Sequence, residues 1–158
     1  MRGVVGLATW VGVCLAIGGL GALASANAPE FYARLVKPVW APPSWLFGPV
    51  WTALYLLMGV AAWLVWRERG WRGAPIALSL FVAQLVLNGL WTWIFFAWRE
   101  GAWALAEIVV LATLIVATVV AFWRVNRTAA GLLLPYLGWV LFATALTAAL
   151  WRGNRQVL

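Results

Sequence analysis

Residues 31–59 read FYARLVKPVWAPPSWLFGPVWTALYLLMG, a proline-rich, tryptophan-studded stretch that runs straight into an apolar helix carrying Trp51 and Tyr55. Pro38, Pro42 and Pro43 fall within six residues, with Pro49 soon after. Proline fixes φ and steers the residue before it away from helix, so residues 37–43 are expected to be extended or turned. A helix then begins near Ser44 or Trp45, with Ser44 as its N-cap candidate. Pro49 is tolerated only in the first turn or two of that helix, or at a kink. The expected product is a stiff aromatic flap lying over the end of a membrane helix.

Composition names the solvent around that helix. Of the 158 residues, 66% are hydrophobic and 9% charged, against about 25% charged in soluble domains. One small domain cannot bury so much apolar surface, so lipid must surround it. Five apolar runs stand out, at about residues 4–24, 45–66, 75–98, 102–123 and 129–151. Each is close to or above the roughly 20 residues that cross a hydrocarbon core of about 30 Å as helix. Lipid offers the backbone no hydrogen-bond partners, and helices satisfy their own. The expected fold is an all-α membrane protein, one domain over residues 1–158. It is a bundle of five transmembrane helices with a long structured loop, at about 26–44, between helices 1 and 2. The other connections are short, so consecutive helices are expected to be antiparallel neighbours. Arg2 and the Ala22-Leu23-Ala24 triplet give the first run some likeness to a signal peptide. Its apolar part is longer than a signal core, and it reads as the first span. Gly12, Gly18, Gly19 and Gly21 would let another helix approach it closely.

The net charge is +7, yet the basic residues stand singly at the edges of the apolar runs. That spacing suits anchors to lipid headgroups and not a nucleic-acid surface. Arg2, Arg67, Arg69, Arg72, Arg124 and Arg127 fall on one side, and Arg34, Lys37, Arg99, Arg152 and Arg155 on the other. The split is too even to set an orientation. Cys14 is the only cysteine and histidine is absent, which excludes an intramolecular disulfide, thiolate clusters and imidazole chemistry. No metal and no required cofactor are expected. Of the fourteen tryptophans, Trp66, Trp71, Trp98, Trp103, Trp123 and Trp151 sit at span ends as interfacial anchors.

Others lie deeper. Trp51, Tyr55 and Gly59 share a face of the second helix, and Gln84, Asn88 and Thr92 one of the third, beside Trp91 and Phe95. On the fifth, Pro135, Trp139, Ala143 and Thr147 repeat the rhythm beside Leu146 and Leu150. The amides of Gln84 and Asn88 must face the bundle, either joining helices, at about 0.6 kcal/mol each, or lining a cavity. The stripes could simply pack a core. They would equally suit a flat hydrophobic ligand, with rings to stack on it and Ala143 and Gly59 leaving room. A flap bearing Tyr32, Trp40 and Trp45 tips the balance toward a ligand. Glu107, inside the fourth run, is expected to be structural more than protonic, satisfied by Arg99 or a neighbouring helix.

KPVWAPPSWLFGPVWTALYLLMG at 37–59, QLVLNGLW at 84–91 followed by Phe95-Phe96, and LPYLGW at 134–139 followed by Phe142-Ala143-Thr144 together form a signature. It resembles that of the TspO family of tryptophan-rich sensory proteins, whose animal members are the mitochondrial translocator proteins, over nearly the whole chain. The resemblance implies an integral membrane receptor or sensor binding porphyrins and synthetic drug-like ligands under the first loop. It implies Trp51, Asn88, Trp91, Trp139, Ala143 and Leu146 as lining residues, with Tyr32 and Pro42 from the flap. Trp40, Tyr55 and Phe95 join them as ligand-binding candidates from the flap and stripes. Without histidine a haem iron would find only tyrosine, Cys14 or Met58. Ring stacking is therefore expected, with propionates paired to Arg34 or Lys37. Ala148 and Ala149 stand where animal members carry tyrosines of a cholesterol-recognition pattern. This implies weak or no cholesterol binding and a bacterial-type member in a bacterial membrane, inner or outer. A homodimer is expected. Light-dependent porphyrin degradation, with indoles as electron donors, stays open as an alternative. Transport of porphyrin or sterol is the third, although no inverted repeat is visible.

Overall fold

A computed structural model describes residues 3–158; Arg2, counted above among the flanking charges, lies outside them. The elements are α1 (Val4–Ala24), α2 (Ala28–Arg34), a 3-10 turn (Ser44–Leu46), α3 (Phe47–Gly73), α4 (Pro75–Thr92), α5 (Gly101–Trp123), α6 (Arg127–Leu132) and α7 (Leu134–Gly153). A π-helical turn, Trp93–Ala97, continues α4. Of the described helices, five segments are long and apolar enough to cross a membrane: Val4–Ala24, Ser44–Gly73, Pro75–Ala97, Gly101–Trp123 and Arg127–Gly153. Among the described residues there is no strand. The protein is an all-α, multi-pass membrane protein.

Local chemistry accounts for the element ends. Pro43 is extended (φ −65°, ψ 148°) and its carbonyl accepts from the Leu46 N–H at 3.1 Å, which opens the 3-10 turn. Ser44 lies inside that turn and caps nothing, contrary to its reading as an N-cap; a prolyl carbonyl starts the helix instead. Pro49 falls in the first turn of α3, where its missing N–H costs no bond. The second span runs past residue 66 to Gly73, kinked at Gly70, whose φ of 64° is natural only to glycine. The last span breaks at Leu133, just ahead of Pro135, into α6 and α7.

The helices close a ring in which α1 packs against both α3 and α4, α4 against α5, and α5 against α6 and α7. Consecutive α3 and α4 were expected side by side, but α1 occupies much of the space between them. Gly59 explains why α1 and α3 come so near. A Cβ there would stand 2.6 Å from the Val11 Cα. Gly59 therefore leaves no room for a ligand; Val11 fills that room.

Candidate functional site

Under the first loop lies a cavity of about 440 Å³, walled by α1, α2, the start of α3, the end of α4 and α7. Its size is in the range of ligand pockets. Trp51 and Tyr55 come from α3, Trp91 and Phe95 from the end of α4, Trp139, Ala143 and Leu146 from α7, and Tyr32 from α2. These eight candidates share one wall surface. Among the described residues, no Lys, Arg, Asp or Glu lines it.

Aromatic contacts hold the wall in shape. The Trp91 and Phe95 rings stack at 5.2 Å with 10° between planes. Trp51 meets Tyr55 at 5.6 Å and Tyr136 edge-on at 6.3 Å. A chain of ring contacts joins loop to helix: Tyr32 to Phe47 edge-on at 5.6 Å, Phe47 to Trp139 edge-on at 6.0 Å, and Trp139 to Phe142 tilted at 5.3 Å. The Nε1 atoms of Trp91 and Trp139 are buried with no acceptor among the described residues.

Three other candidates lie off the wall. Asn88 sits behind it: Tyr55 donates its hydroxyl to Asn88 Oδ1, and Asn88 Nδ2 donates to Tyr136 Oη at 3.1 Å. Tyr136 in turn donates to Gln84 Oε1 at 2.7 Å. Asn88 thus joins α4 to α3 and α7, and Gln84 joins α4 to α7. Pro42 contributes its carbonyl, which accepts from the Tyr32 hydroxyl at 3.0 Å. Burial pushes the Tyr32 phenol up from its ordinary pKa, so it keeps that proton. Trp40 is half exposed and edges onto Phe142 at 5.8 Å, and Trp45 also points outward.

Several wall residues were not expected. Gly18, Gly21 and Ala22 of α1 and its C-cap Ser25 form one side, with Phe47 and Gly48 at the start of α3. The small residues of α1 did signal close approach, but to a helix; here they also border a hollow. A Cβ at Gly18 would lie 2.7 Å from the Tyr55 ring.

Two charges take other roles than expected. Lys37 Nζ donates to the carbonyls of Tyr32 (2.9 Å), Ala33 (3.2 Å) and Leu35 (3.2 Å), closing the end of α2. It is therefore engaged before any propionate arrives. Arg99 lies over the Phe31 ring at 4.9 Å and does not pair with Glu107, whose two oxygens are buried without a hydrogen-bond partner among the described residues.

The loop is pinned by Asn154, beyond the last turns of α7. Val36 N–H donates to Asn154 Oδ1 at 2.8 Å, and Asn154 Nδ2 donates to Val36 O at 3.0 Å and Leu150 O at 2.8 Å. Asn154→Ala removes both bonds to the loop, each worth about 1 kcal/mol. Amide exchange at Val36 is then expected to accelerate about tenfold or more, read by hydrogen–deuterium exchange. Unchanged exchange would mean that the loop is held elsewhere.

The model of the TspO/MBR family matches residues 10–152. The chain is 44% identical to the human (Homo sapiens) translocator protein over 127 residues, 79% of this chain and 75% of that one. It is 43% identical to the tryptophan-rich protein TspO of Chlorobaculum tepidum over 143 residues, 89% of this chain and 90% of the relative. Identity to the tryptophan-rich sensory protein of Cereibacter sphaeroides is 39% over 146 residues, 92% of this chain and 89% of the other.

Proposed function

The chain belongs to the TspO/MBR family, and from that premise we propose that it is a membrane receptor for porphyrins and similarly flat apolar molecules. One observation carries the reading: Trp51, Trp91 and Trp139, from three helices, converge on a single uncharged cavity beneath the proline-stiffened loop. Indole faces stack on an extended ring system, and the cavity walls exclude water from it. The unpaired N–H groups of Trp91 and Trp139 favour a ligand that brings hydrogen-bond acceptors, because an unmatched buried donor costs about 1–3 kcal/mol. Carboxylates find no cation on the wall, so the acidic edge of a porphyrin belongs at the mouth. Arg34, exposed on α2 and without a partner among the described residues, is a cation free to meet it there.

Binding in this reading requires no cofactor. Pairing of two copies belongs to it as well, since exposed Gly12, Ala16 and Gly19 on α1 permit close helix approach. Ala148 and Ala149, where a sterol-recognition tyrosine would stand, make cholesterol a poor ligand.

The test is a titration of the detergent-solubilised protein with protoporphyrin, read as quenching of tryptophan fluorescence. Saturable quenching is expected, and Trp51→Phe with Trp139→Phe should remove most of it. Undiminished quenching in that double variant defeats the assignment.

A further inference from the structure

At the end of the bundle away from the cavity stands a set of charges that ligand binding leaves unused. Arg67, Arg69 and Arg72 lie in the last two turns of α3, and Arg124 and Arg127 flank the α5–α6 connection; all five are exposed. Two separate turns thereby become one surface. Asn126 Nδ2 donates to Glu68 Oε1, and Asn126 is itself fixed as the cap of α6, its Oδ1 accepting from Ala129 N–H at 2.8 Å. Helices α3 and α6 also pack together. Glu68 is the only carboxylate in residues 67–73 and 124–128.

The guanidinium groups are barely neutralised. Arg67 lies over the Trp63 ring at 4.4 Å and Arg127 over Trp123 at 5.5 Å. Arg69, Arg72 and Arg124 make no side-chain hydrogen bond, ion pair or ring contact among the described residues. Trp63, Trp66, Trp71 and Trp123 stand near them in the chain, Trp63 and Trp123 beneath Arg67 and Arg127, and indoles settle at the depth of lipid headgroups. The opposite end carries less net charge: Glu30 and Glu100 stand against Arg34, Lys37, Arg99, Arg152 and Arg155, and Lys37 is already engaged by carbonyls.

Guanidinium forks match phosphate oxygens in pairs. A rim of them held at headgroup depth faces the phosphodiesters of the bilayer before it meets any soluble anion. We propose that the rim formed by Arg67, Arg69, Arg72, Arg124 and Arg127 is a docking surface for anionic phospholipid headgroups of the adjoining leaflet. Glu68 limits its charge while tying the two turns together.

Delipidated protein in neutral detergent is titrated with short-chain phosphatidylglycerol, and bound lipid is counted by native mass spectrometry. Saturable binding is expected, weakening with added salt as the charges are screened. Each arginine contributes about fivefold near an anionic surface, so Arg69→Gln, Arg72→Gln and Arg124→Gln together should lower affinity roughly a hundredfold. Those three lack internal partners, so the triple variant should keep the wild-type unfolding temperature. Glu68→Gln keeps the oxygen that accepts from Asn126 and removes one negative charge, so it should raise affinity about fivefold. Phosphatidylcholine and inorganic phosphate serve as the other arms. Wild-type affinity in the triple variant, an unmoved affinity in Glu68→Gln, equal binding of phosphatidylcholine, or displacement by millimolar inorganic phosphate would each overturn the proposal.

Discussion

Valine in place of Gly59 is expected to push α1 away from α3 and to lower the unfolding temperature in detergent by several degrees. The added Cβ would stand 2.6 Å from the Val11 Cα and 3.0 Å from its nitrogen. Backbone atoms cannot rotate aside as a side chain would, so the helix axes themselves must separate. Overpacking of this kind costs about 1–3 kcal/mol, and more where backbone must move. Gly131→Val, in α6 and away from both α1 and the cavity, is the matched control: its Cβ would meet nothing within 4 Å, and it should unfold like wild type. Because α1 supplies Gly18, Gly21 and Ala22 to the cavity, Gly59→Val should also abolish porphyrin quenching while Gly131→Val retains it. Equal unfolding temperatures for the two variants would refute the close α1–α3 packing.

Asn88→Leu is expected to destabilise the bundle by about 1–3 kcal/mol, because it strands the Tyr55 hydroxyl without its acceptor away from water. The same substitution removes the donor to Tyr136 Oη, which keeps its own proton on Gln84. The clean measurement is a double-mutant cycle in detergent. Tyr55→Phe should cost stability in the wild-type background and almost nothing beside Asn88→Leu, since an apolar pair leaves no group unmatched. Additive losses would show that the two side chains act independently. Leucine at position 88 stands behind the cavity wall. Ligand affinity should therefore change only through the altered seat of Tyr55, much less than in the Trp51 and Trp139 double variant.

The contrast between Asn88 and its neighbour Trp91 shows how far periodicity reaches. Both were placed on adjoining stripes of one helix, and both were candidates for the wall. Trp91 is there; Asn88 is one layer back, because Tyr55 and Tyr136 approach it from two other helices. Nothing in residues 84–92 announces those partners. The flap makes the same point. Trp40, Trp45 and Phe47 are all large and apolar, but the 3-10 turn at Ser44–Leu46 sets the phase of the following helix. Phe47 is brought between Tyr32 and Trp139, and Trp45 is left outside. Wall residues from α1 were missed for a related reason. A run of glycine and alanine has the same appearance whether the surface it approaches is a helix or a hollow.

Five spans and a stiff loop were legible without coordinates because their causes are local. In lipid each helix must satisfy its own backbone, so length and apolarity suffice to mark it, and proline constrains its neighbours wherever it stands. Pairings between helices carry no such local mark. The insertion of α1 between α3 and α4, the seat of Val11 on Gly59, and the clasp of Val36 by Asn154 across 118 residues of chain follow from how the helices are rotated and ordered. Packing and hydrogen-bond matching among several segments at once decide that arrangement. It is also what turns three aromatic stripes into one cavity.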